Sequence, residues 1–159
     1  MSVRASASAV ASLSLLAAWT GIAVFIAAVV TPAAFAVLPT RALAGALVGR
    51  TLPVLFVLGI VIGVLVAVLN QAMDAGRAVT GGATLLALMC VAALVVEQRL
   101  RAMLDAVGAP MDSLPATDVR RAAFGRLHGV SVMFLGMAVL GACVAFAVIA
   151  RGLSIRSTP

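Results

Sequence analysis

The sequence predicts an all-α membrane protein: a four-transmembrane-helix bundle with helix extensions that form a protruding hairpin on one side. Three observations carry that prediction. Of the 159 residues, 64% are hydrophobic and only 10% are charged, where a soluble domain has about 45–50% and about 25%. A chain this short has much surface for its volume and needs polar residues to cover itself in water; it has too few. Finally, the apolar residues gather in four uncharged stretches, each close to the length of about 20 residues that a helix needs to cross about 30 Å of hydrocarbon. Together these exclude an ordinary soluble globule, a disordered chain and a nucleic-acid binder, in spite of a net charge of +6.

The first span lies within 8–31, inside an uncharged run from Ala5 to Thr40. Arg4 before an apolar run, with Ala34-Phe35-Ala36 as a small-x-small site, imitates a signal peptide. The run exceeds the about 7–15 residues of a signal core, so a retained first helix is expected. Pro39-Thr40 marks a helix start, and Leu43, Gly45, Leu47 and Gly49 continue at helical spacing into the second span, about 51–71. Pro53 sits inside that helix and has no N–H for the carbonyl of Gly49, so a kink or an exposed carbonyl is expected there. The third span, about 78–96, runs on through Leu100, Met103, Leu104 and Val107, an i, i+3, i+4, i+7 pattern that Gly108-Ala109-Pro110 ends. Thr117-Asp118 caps the next helix, which passes Val119, Ala123 and Leu127 into the fourth span, about 127–150. The third and fourth helices therefore form an antiparallel hairpin, about 97–126, outside the bilayer. All of 1–159 reads as one integral membrane domain.

Orientation follows from counting arginines, since basic residues favour the cytoplasmic side. All 11 basic residues are arginine. Arg4, Arg77, Arg151 and Arg156 fall on the side of the termini. Arg41, Arg50, Arg99, Arg101, Arg120, Arg121 and Arg126 fall on the other. The excess puts the first and third loops in the cytoplasm and both termini outside, in what is expected to be a bacterial inner membrane.

Between helices in lipid, close packing of small residues replaces the hydrophobic drive. Gly59 and Gly63, Gly45 and Gly49, and Gly125 and Gly129 each form a GxxxG pair. Gly129, Gly136, Cys143 and Ala150 recur every seventh residue along the last helix. The plain expectation is packing inside one monomer; the sharper one is a seam for a homo-oligomer or a membrane-protein partner. Pro32 and Pro53 are the expected helix-kink positions.

Ionisable residues near lipid are costly and are default candidates for function. Arg50 opens the second span, Glu97 closes the third, and Arg126 and His128 open the fourth, all at one membrane boundary. Ser131 lies nearby, and Pro32 and Phe35 reach the same level. A polar boundary cluster of Arg50, Glu97, Arg126, His128 and Ser131 is thus the candidate site, proton- or ligand-sensitive through the histidine. The competing reading is structural: Glu97 and Arg101 satisfy each other at i, i+4, Arg126 snorkels to headgroups, and His128 makes one hydrogen bond to a neighbouring helix.

Nothing calls for a metal or cofactor. There is one histidine, and the methionines show no ligand spacing, whereas a soft-metal site wants several converging sulfurs. Cys90 and Cys143 fall about 10 Å and about 24 Å from the same boundary at the helical rise, too far apart in depth for a disulfide or a shared metal. Trp19 and Thr20 lie inside the first span, away from any obvious aromatic belt. Asn70, at the end of the second, is expected to cap a helix end. No nucleophile–base pair, phosphate loop or paired intramembrane carboxylate is present, so no enzyme activity is expected.

The stretch Trp19-Thr20-Gly21 through Pro32-Ala33-Ala34-Phe35, then Leu38-Pro39 and Arg50-Thr51-Leu52-Pro53, resembles the first half of the transmembrane protein 205-like family, which contains a domain of unknown function. Phe124-Gly125-Arg126-Leu127-His128-Gly129-Val130-Ser131 resembles that family's Phe-x-x-Leu-His-x-x-Ser run. The family carries an asparagine shortly after the serine, where this chain has Leu135. The likeness covers about 13–150 and implies a small four-helix membrane protein without an assigned reaction; a eukaryotic branch is linked to resistance to platinum drugs. Its recurrent residues match Pro32, Phe35, Arg50, Pro53, His128 and Ser131. The expected function is non-enzymatic, in transport or membrane stress tolerance. The alternative is a structural or assembly subunit of a larger membrane complex, with the lipid bilayer as partner in either case.

Overall fold

A computed structural model describes residues 3–156, and among them there is no strand. The elements are α1 (Val3–Phe25), a π-helical turn (Ile26–Val30), α2 (Thr31–Val37), α3 (Arg41–Met73), α4 (Arg77–Val107), a short 3₁₀ turn (Met111–Ser113) and α5 (Val119–Arg156). Four helical segments are long and apolar enough to cross a membrane, the first running from Arg4 through α2 to Val37. Each extends beyond the span expected for it, and α4 and α5 pack on each other as the expected hairpin.

The helices form a ring in chain order. α1 packs on α3 and α5, and α4 packs on α3 and α5. The reason lies in the spacing of the buried residues. In α1 and the π turn that follows it they fall at Ala5, Ala9, Ser12, Leu16, Trp19, Ala23 and Ile26; in α4 at Val79, Ala83, Leu86, Cys90, Ala93, Glu97 and Leu100. Steps of four and three alternate, a 3.5-residue repeat that keeps one seam against its neighbours in left-handed bundles crossing at about 20°. The remaining faces carry exposed valines, leucines and phenylalanines, as a bundle solvated by hydrocarbon should.

Local chemistry sets the ends and the irregularities. Thr40 caps α3, its hydroxyl accepting from the Leu43 N–H at 3.2 Å. Gly108 ends α4 at φ 65°, a left-handed conformation that glycine adopts without strain. Asp118 caps α5 by accepting from the Arg120 N–H at 2.8 Å. Asn70 closes the α3–α4 turn: its amide donates to the Gly76 carbonyl at 3.0 Å and to Thr80 Oγ1 at 2.9 Å, and its carbonyl oxygen accepts from the Ala75 N–H. The Thr31 N–H reaches back to the Ile26 carbonyl, an i to i−5 bond immediately before Pro32. The π turn thus admits a proline, which has no N–H and would crowd a regular turn.

Tight packing is concentrated at four glycines. A Cβ on Gly59 would lie 2.5 Å from Cys90 Sγ and 2.9 Å from Trp19 Nε1, and one on Gly63 would lie 2.7 Å from the Ala83 carbonyl oxygen. Gly82 and Gly141 face each other where α4 and α5 touch: each Cβ would meet the other's carbonyl oxygen, at 2.6 and 2.7 Å. The expected seam of Gly129, Gly136, Cys143 and Ala150 is not the packed one. Nothing lies within 4 Å of a Cβ on Gly129 or Gly136, and Cys143 is exposed. The α5 seam runs instead through Ser131, Ala138, Ala142, Ala145 and Ile149. A second seven-residue stripe on the same helix faces outward because only one stripe can meet α4 and α1. The Gly45–Gly49 and Gly125–Gly129 pairs also meet nothing within 4 Å.

Candidate functional site

The expected boundary cluster is largely dispersed. Glu97 and Ser131 do meet: both are seam residues, and the Ser131 hydroxyl donates to Glu97 Oε1 at 2.9 Å across the α4–α5 interface. Glu97 is 6% exposed, a carboxyl turned into the bundle. Arg50, Arg126 and His128 are exposed. Among the described residues none of them bonds to Glu97 or Ser131. The cause is helical phase. Leu127 and Phe124 continue the α5 seam outward from Ser131, and each step along a helix turns the side chain by about 100°. His128 and Arg126, one position to either side of Leu127, therefore point away from α4.

The expected Glu97–Arg101 pair is also replaced. Arg101 crosses to α3, where its guanidinium donates to the carbonyl oxygen of Gly49. This is the carbonyl that Pro53 leaves without its helical donor, so a charged side chain from α4 fills a gap that a proline opened in α3. Deeper in the bundle, Trp19 Nε1 donates to the Leu55 carbonyl oxygen at 2.9 Å. That satisfies the indole's one donor inside an apolar core.

Beyond Glu97 the helix extensions separate. A cavity of about 740 Å³ opens between α2, the start of α3, the end of α4 and the start of α5. Phe35, Ala42, Gly45, Ala46, Leu104, Met111 and Phe124 give it an apolar lining, and Arg41, Asp105 and Asp112 supply charge. Its volume lies within the range of about 300–1,000 Å³ common for small-molecule sites. None of Glu97, Ser131 or His128 lines it. A smaller cavity of about 230 Å³ lies at the opposite end, between Ala9, Met73, Asp74, Ile149 and Leu153.

The hairpin tip is held by local ionic contacts. Arg120 forms a two-pronged pair with Asp118, Nη2 to Oδ2 at 2.8 Å and Nε to Oδ1 at 3.1 Å. Hydrogen bonds from the Arg120 side chain, then from its backbone N–H, hold the Asp118 carboxyl down to about 2. Arg121 donates to the Leu114 carbonyl oxygen. Among the described residues no group of His, Cys, Asp and Glu gathers as metal ligands would.

Sequence reasoning found Glu97 and Ser131 but missed the partners of Trp19, the Gly82–Gly141 contact and the cavity. A seven-residue step from Cys90 to Glu97 is the signal that would have placed Glu97 on the buried face. The cavity has no comparable signal, because its lining comes from four separate segments.

A family model described as a domain of unknown function (DUF4149) matches residues 14–109. The match takes in the second half of α1, all of α2, α3 and α4 and the first part of the cavity lining, and it ends before α5 begins. No curated protein and no solved structure matches the chain significantly.

Proposed function

The chain belongs to the DUF4149 domain-of-unknown-function family, and from that premise we propose that it is a non-enzymatic multi-pass membrane protein acting in transport or membrane stress tolerance through the cavity at its hairpin end. The observation that carries this reading is the cavity itself: about 740 Å³, apolar in its lining, charged by Arg41, Asp105 and Asp112, and set at the hairpin end of the bundle. A site of that kind suits an amphiphile. The likeness to the transmembrane protein 205-like family supports the same reading, with the cavity on the cytoplasmic side by the arginine count.

The test uses vesicles containing the whole protein and a chain-labelled fluorescent amphiphile in the outer leaflet. The expected result is movement between leaflets several-fold faster than in protein-free vesicles, abolished by Ala46→Trp, which fills the cavity from an exposed position. A folded protein that gives no acceleration overturns the transport reading.

The second reading, a structural subunit, is favoured by a different observation. Gly125, Gly129 and Gly136 leave a shallow, open stripe along α5, the kind of surface that admits a close-packed helix. That reading expects a partner, or a second copy, to co-purify in mild detergent. A monodisperse monomer would sink it.

A further inference from the structure

The cavity has a polarity gradient along the bundle axis. Taking Arg50, Glu97 and Arg126 as the boundary, Phe124 and Ala46 stand within about 6 Å of it at the helical rise, while Arg41 and Asp105 stand about 12–14 Å outward. Phe35, on the last turn of the first span, faces the same cavity and is 44% exposed. The inner part is therefore apolar and open to the hydrocarbon edge. The outer part is charged and lies in and just beyond the headgroup layer, which adds roughly 5–8 Å on each side of the hydrocarbon.

The charges are of both signs and are not spent on each other. Among the described residues the one ion pair is Arg120 with Asp118. Arg41, Asp105 and Asp112 all line the cavity without such a partner. A purely anionic ligand would meet Arg41 but also two carboxylates. A purely cationic one would meet the carboxylates but also a guanidinium. A ligand carrying an anion and a cation a few bonds apart satisfies all three, and an attached hydrocarbon chain covers the apolar part.

We propose that the cavity binds a zwitterionic phospholipid from the adjoining leaflet, with its phosphate at Arg41, its ammonium at Asp105 and Asp112, and its chain against Phe35, Ala46 and Phe124. Arginine matches phosphate through its planar fork of donors. Carboxylates take an ammonium by charge-assisted hydrogen bonds. The two phenyl rings cover chain methylenes. This rests on the cavity of the preceding section being a ligand site, but it does not require that the lipid be moved.

The experiment is native mass spectrometry of the full chain in detergent, with short-chain phosphatidylethanolamine, phosphatidylglycerol of the same chains and dodecyltrimethylammonium each added at equal concentration. The zwitterion is expected to be retained at least fivefold more than either singly charged amphiphile. Asp105→Asn with Asp112→Asn is expected to remove that preference while leaving phosphatidylglycerol retention equal or higher. Arg41→Gln is expected to lower retention of both phospholipids. All three positions are exposed, so the variants keep the fold, which helical circular dichroism checks. Free phosphoethanolamine at the same concentration is expected not to compete, because it lacks the chain; full competition would identify a headgroup site for a soluble ligand and overturn the lipid assignment. Equal retention of all three amphiphiles, or a preference that survives the double aspartate variant, also overturns it. Zwitterion retention without leaflet-to-leaflet movement would sink the transport reading and leave this one standing; movement without selectivity would do the reverse.

Discussion

Glycine is put to opposite uses in the two halves of this bundle. Toward the termini, Gly59, Gly63, Gly82 and Gly141 sit where a Cβ would strike a neighbouring helix. Asn70 closes the turn beyond them with three side-chain hydrogen bonds, and the hollows at that end are one of about 230 Å³ between the helices and one of about 480 Å³ along α4 at Arg77, Thr80 and Leu88. Toward the hairpin, a Cβ on Gly45, Gly49, Gly125 or Gly129 would meet nothing within 4 Å, and the cavity is about 740 Å³. One half is closed by backbone contact. The other is held by polar contacts, Glu97 with Ser131 and Arg101 with the Gly49 carbonyl, and by a few buried apolar residues, Ala44, Leu100 and Met111, around an open space. A bundle that only had to persist in lipid would have no need of the second arrangement.

The sharpest way to break this contrast is to add the same side chain to both halves. Gly82→Val forces apart two backbones that meet at 2.6 Å from the missing Cβ. It is expected to destabilise by about 3 kcal/mol. Gly125→Val, in open space, is expected to change stability by less than about 0.5 kcal/mol. Thermal unfolding in detergent, followed by helical circular dichroism, measures both. Equal losses would mean that the hairpin end closes on something in the folded state, and the contrast would fail.

The polar point between α4 and α5 gives the next largest effect. Ser131→Ala removes the hydroxyl that serves the buried Glu97 carboxyl, and an unserved buried polar group costs about 1–3 kcal/mol. Adding Glu97→Leu to Ser131→Ala is expected to recover most of that loss, because two apolar side chains pack where a polar pair stood. The same unfolding measurement applies. A double variant less stable than Ser131→Ala alone would show that the carboxyl has a further role in holding the hairpin.

What could be read from the sequence divides along the same line. The four spans, their extensions, the caps at Thr40 and Asp118 and the stop at Gly108 were legible, because each depends on a few neighbouring residues and on the length of an apolar run. So was the unpaired Gly49 carbonyl, which follows from Pro53 alone. What filled it was not, since nothing local links Arg101 to a residue 52 positions away. The glycines show the limit most clearly. Gly59–Gly63 and Gly125–Gly129 are the same motif, yet one is packed and the other open. The difference lies in which face of each helix the rest of the bundle covers. The boundary cluster failed for that reason as well: position along the helix put His128 and Arg126 beside Ser131, and direction around it turned them outward.

A smaller effect tests the link between Pro53 and Arg101. If the guanidinium stands in for the missing N–H, Arg101→Ala should cost more with Pro53 present than in Pro53→Ala, where a backbone donor returns to the Gly49 carbonyl. A double-mutant cycle on unfolding stability is expected to give a coupling of about 0.5–1 kcal/mol. Strict additivity would separate the two residues and leave Arg101 as an ordinary surface contact.

The hairpin tip should be the part of the open half most sensitive to acid. Asp118 caps α5 and pairs with Arg120 through a carboxyl held down to about 2 from an ordinary value of 3.8. A depressed carboxyl contributes its stabilisation above the ordinary value and loses it as pH falls through the lowered one. The cap is therefore expected to be intact at pH 4 and above, and to weaken between about 3.8 and about 2. The pair is solvent-exposed, so salt should screen it and the effect should be local. Hydrogen exchange at the Arg120 amide reads it directly: protection from the Asp118 carboxylate should fall over that window, beyond the intrinsic pH dependence of exchange, while amides near Gly82 and Gly141 keep theirs. In Asp118→Asn, which caps a helix without a titrating charge, the window should disappear. If protection falls at both ends together, acid unfolds the bundle as one unit and the hairpin has no separate stability to lose.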